Sequence, residues 1–252
     1  MTLAVLLQSI AELGDNPDVL TLRRAVVAFA KAHGFGAVFF LSPIARNNRQ
    51  GRVLTNVGFN ASWERAYRRG LSRIDPLPEI AMTLRAPFRW SQAARLRDLT
   101  ASEQRYMAIL ERCGMGDGLA YPLFGSGANS GLIGLGHHPD LAAVCRSTQI
   151  EIQLFLQSTY QAYCNIIARE FAQDAELSER ERDVLFWLAQ SKSNSAIAAI
   201  LEIAPSTVDT YMRRIFRKLG VSGRVGAAIA AVQQGHITPS RYRREHQADP
   251  QS

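Results

Sequence analysis

The sequence predicts an α+β chain: an α-β-α sandwich followed by a small all-α domain of four helices. Three observations predict it. Two strand-turn-strand patterns, GAVFFL with RVLTNVGF and GLAYPLF with LIGLGHH, sit among segments of helical periodicity. A short polar stretch, Gln173–Glu176, follows them. Beyond it no strand pattern recurs, and four short helical patterns follow in turn. The expected division is therefore 1–172 for the sandwich, 173–176 for a linker and 177–238 for the helical domain. The polar remainder, 239–252, reads as a disordered tail.

The totals agree with two modest domains. The chain has 252 residues, and 47% of them are hydrophobic, enough for real cores. A net charge of +7 permits nucleic-acid contact without requiring it. Three cysteines, Cys113, Cys145 and Cys164, are far apart, with no CxxC pair and no histidine at zinc-ligand spacing. They read as small hydrophobes in a reducing compartment, and no metal site is expected. No apolar run approaches the ~18 residues of a membrane span, so a cytoplasmic protein without membrane contact is expected.

Each element has a local reason. Leu3, Leu6, Leu7, Ile10 and Leu13 recur at helical spacing. A second helix is expected from a cap at Asn16, with Pro17 as its first residue, to about His33. Gly36–Leu41 and the run ending in Phe59 read as paired strands around the turn ARNNRQG. Asn60 could cap a helix over Ala61–Arg69, and Asp75–Leu84 reads as another. Phe88–Trp90 is a short strand. Thr100 with Glu103 forms a capping-box pattern at the start of the next helix. The second hairpin then runs from Gly118 to His138, and Pro139 to about Gln173 is helical.

In the last domain, Pro205–Leu219 places Val208, Met212, Ile215 and Leu219 on one stripe of a helical wheel. Asp209, Thr210, Arg213, Arg214 and Arg217 fall on the opposite face. From Leu177 to Ser252 there are 11 Lys/Arg and 7 Asp/Glu, a net of +4, and most of the excess lies in this helix. A shorter helix with Ile197, Ala198 and Leu201 inward precedes it across the tight turn EIAP. Two short helices, the second basic on its outer face, fit a helix-turn-helix. A solvated face on a structural helix fits the charges alone equally well.

The segment LSERERDVLFWLAQSKSNSAIAAILEIAPSTVDTYMRRIFRKLGVSGRVGAAIAAV resembles the DNA-binding domain of LuxR/FixJ-type regulators, without gaps. Glu181, Ile197, Val208, Lys218, Leu219 and Arg224 are among the matching positions. The resemblance implies that Pro205–Leu219 enters the major groove. Asp209, Thr210 and Arg213 match base-facing positions, and Arg213 could read guanine. Arg214 and Arg217 would hold phosphates, with Ser193 and Thr207 as lesser candidates. The final helix, with Ala227, Ala228, Ala231 and Val232, resembles the one through which such domains pair on two-fold sites. Three positions depart from the pattern: Ser191 for a usual glycine, Ala196 for Glu and Tyr211 for His. Ser191 would strain a helix end that favours positive φ.

The first domain resembles the autoinducer-binding domain of LuxR-type quorum-sensing regulators, which bind N-acyl-homoserine lactones. Trp63, Tyr67, Asp75, Pro76, Trp90 and Gly118 match the marker positions in order. The spacing from Trp63 to Asp75 is one residue short. The resemblance implies that Asp75 accepts from the ligand amide and that Trp63 donates to the lactone carbonyl. Tyr67 and Trp90 would form walls, although Trp90 alone reads as packing. The acyl tail is expected between sheet and helices, against Val38, Phe40, Leu54 and Leu123. Two departures bear on the ligand. Phe59 stands where a tyrosine usually meets the acyl carbonyl, and Gly136 stands where a Ser or Thr often helps. Both remove polar partners, which favours an aryl, branched or unsubstituted acyl group.

Other readings are weaker. A phosphorylation receiver needs clustered carboxylates, and none lie around GAVFFL. GSGANSGLIGLG lacks the Lys-Ser/Thr of a phosphate loop. No Ser or Cys has a recognisable catalytic partner, so a lactone hydrolase is the remote enzyme alternative and no cofactor is expected. The nearer alternative is a regulator of the same type that senses a different small molecule or acts without one. The expected partners are double-stranded DNA, a small-molecule autoinducer and a second copy of the chain. The resemblance implies that ligand completes the first core and that a homodimer binds an inverted repeat.

Overall fold

The computed structural model describes residues 3–11, 18–41, 55–59, 61–125, 129–174, 177–233 and 235–237. The chain divides into two compact units, Met1–Gly125 with Asn129–Ile166, and Ile167 onward. The expected cap at Asn60, the turn ARNNRQG, Leu54 and the tail 239–252 lie outside the described residues.

The first unit holds α1 (Leu3–Ala11), α2 (Val19–Ala32), β1 (Ala37–Leu41), β2 (Thr55–Val57), α3 (Ala61–Arg69), α4 (Leu77–Leu84) and β3 (Phe88–Arg89). It continues with α5 (Ala93–Leu96), α6 (Ala101–Arg112), β4 (Gly118–Phe124), β5 (Ser130–Gly136) and the greater part of α7 (Arg146–Asp174), which ends in the second unit. The five strands form one sheet in the order β2-β1-β5-β4-β3, antiparallel throughout. The two predicted hairpins meet through β1 and β5, where Phe39 lies opposite Gly134.

Side-chain alternation splits this sheet into two faces. Phe39 and Leu41 pack with Trp63, Tyr67 and Leu110 from α3 and α6. Val38, Phe40 and Ile133 face α2 and α7, beside Leu22, Val26, Tyr160 and Tyr163. Phe29 of α2 stacks on Phe155 of α7 at 3.8 Å between centroids. The unit is thus an α-β-α sandwich with one core on each side of the sheet.

Local signals placed most helix ends. Thr100 and Glu103 make both bonds of the capping box on α6. The start of α2 differs from expectation. Asp18, not Asn16, is its cap, and the Asp18 carboxylate accepts from Thr21 N–H at 2.6 Å. Either residue type can cap, so the sequence pattern did not distinguish them. Among the described residues the first hairpin's second strand covers Thr55–Val57 and ends before Phe59.

The second unit contains α8 (Glu179–Ala189), α9 (Asn194–Ile200), α10 (Pro205–Leu219) and α11 (Arg224–Gln233). The predicted stripe of α10 is its core face: Val208, Met212, Ile215 and Leu219 are all buried. Glu181 serves two elements. It closes a capping box with Ser178 at the start of α8 and pairs with Lys218 of α10 at 2.6 Å. Gly220 ends α10 in the left-handed region at φ 64°.

Ser191, just past α8, adopts φ 61°. A side chain in that conformation costs about 1–2 kcal/mol relative to right-handed backbone. Ser191→Gly should therefore stabilise the helical unit by about 0.5–1 kcal/mol after the entropy of the unfolded glycine is counted. Chemical denaturation checks it, and an unchanged or lowered midpoint contradicts the strain argument.

Candidate functional site

The α3 sequence ASWERAYRR is amphipathic, and its two apolar rings, Trp63 and Tyr67, stand one turn apart. Both are buried against the sheet. Phe39 meets Trp63 and Tyr67 edge-on, with centroids at 4.8 and 5.3 Å. Phe59 closes the same corner, 5.8 Å from Phe39. Its backbone is fixed by Asn56, whose side chain accepts from Phe59 N–H and donates to Glu64 at 2.8 Å.

Two buried tryptophans line this space, and their indoles differ. Trp90 Nε1 donates to the Met115 carbonyl at 3.0 Å. Its ring lies on glycines: a Cβ at Gly118 would collide with it, and one at Gly136 or Gly134 would sit 3.3 or 3.4 Å away. Trp90 is therefore a satisfied packing residue. Trp63 Nε1 is buried and has no hydrogen-bond partner among the described residues. An orphan donor of this kind costs about 1–3 kcal/mol unless something accepts from it.

Asp75 lies in the same cavity as Trp63. Its Oδ1 accepts from the N–H of Leu77, the first residue of α4, at 2.9 Å. Its Oδ2 accepts from the Tyr67 hydroxyl, also at 2.9 Å. The Tyr106 hydroxyl interacts with the same carboxyl. Burial nevertheless pushes Asp75 up to about 6, with the three donors opposing that rise. Burial and the neighbouring Asp75 charge push the Tyr106 hydroxyl well above its usual range, so it stays a donor.

The structure gathers Phe59, Trp63, Asp75 and Trp90 around one cavity. Tyr67 stands behind Asp75 and orients it. Three expectations need correction. Val38 and Phe40 point to the opposite face of the sheet, toward α2 and α7. Leu123 does too: it pairs with Gly131, where a Cβ would meet Tyr160 of α7. The space at Gly136 is occupied by the rings of Phe59 and Trp90, so it does not open toward a ligand. Leu54 lies outside the described residues. The residues that do form the apolar end, Leu41, Leu110, Ala120, Leu132 and Gly134, were not expected. Tyr106 was missed as well. Its position one helical turn before Leu110 was the available signal.

The helical unit offers a different surface. Arg213, Arg214 and Arg217 are exposed on α10, opposite its buried stripe. Thr210 donates to the Ser206 carbonyl at 3.0 Å. Asp209 accepts from Asn194 Nδ2 at 2.6 Å. Ser193 caps α9 by accepting from Ala196 N–H at 3.2 Å. Thr207 lies half-buried in the first turn of α10. On α11, Ala227 and Ala231 belong to the core rather than to an outer face. The exposed stripe is Val225, Ile229 and Val232, at 74%, 53% and 48% exposure.

The raised Asp75 pKa makes a pH prediction. The native carboxyl binds its proton more tightly than the unfolded one, so its contribution to stability is greatest below 3.8 and is lost as pH rises through about 6. Relative to Asp75→Asn, which has no such titration, the wild type should lose stability between those values. Urea denaturation of both proteins across the window measures this. Parallel pH profiles would refute a strongly buried carboxyl.

Comparison with known proteins fits both units. The autoinducer binding domain family matches residues 18–163, more than half of the chain. The family of bacterial regulatory proteins, luxR family, matches residues 175–231. RpaR of Rhodopseudomonas palustris, a quorum sensing-dependent transcriptional regulator, is 27% identical over 205 residues, covering 81% of this chain and 83% of that protein. AhyR of Aeromonas hydrophila, a transcriptional activator, is 26% identical over 190 residues, covering 71% of each. The crystal structure of Escherichia coli SdiA superposes with a TM-score of 0.73 at 16% identity, covering 93% of this chain and 98% of that one, which shows a shared fold. Among the described residues no helix is long and apolar enough to cross a membrane. An autoinducer-binding sandwich joined to a luxR-type helix-turn-helix defines the group: the chain belongs to the LuxR family of quorum-sensing transcriptional regulators.

Proposed function

We propose that the Trp63–Asp75 cavity binds an N-acyl-homoserine lactone. The observation that carries the reading is the buried Trp63 indole N–H, which has no acceptor among the described residues. A lactone carbonyl would satisfy it, while the ligand amide N–H donates to Asp75. Tyr67, Tyr106 and Leu77 N–H hold that carboxylate in place. The opposite end of the cavity, Leu41, Leu110, Ala120 and Leu132, carries no side-chain hydrogen-bonding group. Phe59 adds a ring without a hydroxyl. The site thus suits an aryl, branched or unsubstituted acyl group and offers nothing to a 3-oxo group.

Ligand binding stabilises the folded regulator by mass action, about 2.7 kcal/mol at one hundred times Kd. The regulator acts as a homodimer on an inverted-repeat site. Val225, Ile229 and Val232 supply an exposed apolar stripe on α11 for pairing. Exposed Arg213 reads bases, while Arg214 and Arg217 hold phosphates.

Thermal-shift and calorimetric titration with cinnamoyl-, isovaleryl-, octanoyl- and 3-oxo-octanoyl-homoserine lactone tests the ligand. The 3-oxo compound should bind most weakly. A clear preference for it would sink the acyl assignment, and binding of none would sink the lactone reading. Trp63→Phe keeps the ring packing and removes the donor, so affinity should fall by about 1–3 kcal/mol, roughly five- to a hundredfold. Asp75→Ala should abolish ligand response while the helical unit stays folded.

For DNA, Arg213→Ala should relax sequence preference, whereas Arg217→Ala should weaken binding to all duplexes and flatten the salt dependence. Gel-shift titrations on specific and random duplexes separate the two, and equal losses from both variants would contradict the division.

A further inference from the structure

The α10 face presented to solvent carries one acidic residue among its arginines. Asp209 is exposed, one turn before Arg213, whose Nε lies 3.4 Å from the Asp209 carbonyl oxygen. A carboxylate on a surface that approaches phosphates is repelled by them. It gains on DNA only by accepting from a base, and the cytosine N4 amino group is the donor suited to a carboxylate in the major groove.

The side chain is already fixed for such a contact. Asn194, the first residue of α9, donates through Nδ2 to Asp209 Oδ1 at 2.6 Å. Asn194 Oδ1 in turn accepts from Arg224 of α11, and the same guanidinium donates to the Lys192 carbonyl. A cation on its oxygen and a carboxylate at its nitrogen fix the orientation of the Asn194 amide. No bond to Asp209 Oδ2 is made among the described residues. One oxygen is therefore anchored through two helices and the other is open on the exposed face. An exposed aspartate would otherwise sample several rotamers, and ordering it on DNA would cost affinity.

The geometry points to Asn194 as a positioning residue for base recognition: it presets Asp209 to select a cytosine in each half-site. The inference rests on α10 being the helix that enters the groove, and goes beyond that reading by naming the residue that sets one base preference.

Binding-site selection from a pool of random duplexes, using the full-length chain, tests it. Asp209→Ala should relax one base pair per half-site, from about five- to tenfold preference, equivalent to about 1–1.4 kcal/mol, to under twofold. Asn194→Ala should relax the same pair and leave the others unchanged, and the double variant should be no worse than Asp209→Ala. A merely structural Asn194 would lower affinity on every duplex with the base profile intact, and that result overturns the proposal. Relaxation at two different pairs does so too. If circular dichroism shows that Asn194→Ala fails to fold, Asp209→Asn decides. It keeps the shape and changes the carboxylate to an amide, so the preference should move away from cytosine, and an unchanged profile overturns the inference. A wild-type chain that selects no sequence would sink the recognition-helix reading itself, and this inference with it.

Discussion

A carboxyl group is costly to bury, and the ligand-binding unit is organised around one. Asp75 sits where α3, α4 and α6 converge on the sheet. It accepts from Leu77 N–H at the start of α4, receives the Tyr67 hydroxyl of α3 and faces Tyr106 of α6. Each donor lowers the cost of burial, yet the carboxyl still titrates near 6. The remaining cost is what a ligand amide would relieve. The same residue thus ties three helices together around a buried carboxyl.

Trp63 presents the complementary deficit. Its indole N–H has no acceptor among the described residues, whereas the Trp90 indole, in the same cavity, is matched to Met115. Two tryptophans with similar burial therefore have different roles. One closes the core over the glycines of β4 and β5. The other carries an unmet hydrogen bond at the polar end of the space. A buried donor with no acceptor among the described residues, beside a buried carboxyl in one cavity, would suit a neutral ligand that offers both an acceptor and a donor.

The helical unit solves a different problem. It presents positive charge outward while keeping a small core, and Glu181 makes this possible from inside. The capping box and the bond to Lys218 let one buried carboxylate fix the start of α8 against the end of α10. The arginines of α10 are then free to face outward. The network of Asn194, Asp209 and Arg224 does similar work at the other end of that helix.

The features that depend on near neighbours were legible in the sequence. The stripe Val208, Met212, Ile215 and Leu219 follows from 3.6-residue periodicity and became the core face of α10. The capping box at Thr100 needs only residues three apart, and it formed. The strained Ser191 was visible because one position after a helix favours positive φ. The ordered markers from Trp63 to Gly118 brought Trp63, Asp75 and Trp90 to one cavity. What failed were the assignments of Val38, Phe40 and Leu123, which needed to know which side of the sheet a strand residue faces. Shifting by one residue moves a side chain to the other face. Val38 and Phe40 were accordingly misplaced, while Phe39 between them was overlooked. Nor could sequence tell a satisfied indole from an orphan one, because the acceptor for Trp90 is a carbonyl 25 residues away. The sequence by itself determined the helices, their polar and apolar faces and the order of the candidate ligand-binding positions. Only the tertiary structure decided which hydrogen-bonding groups were left unmatched, because a buried group's partners come from wherever the fold brings the chain.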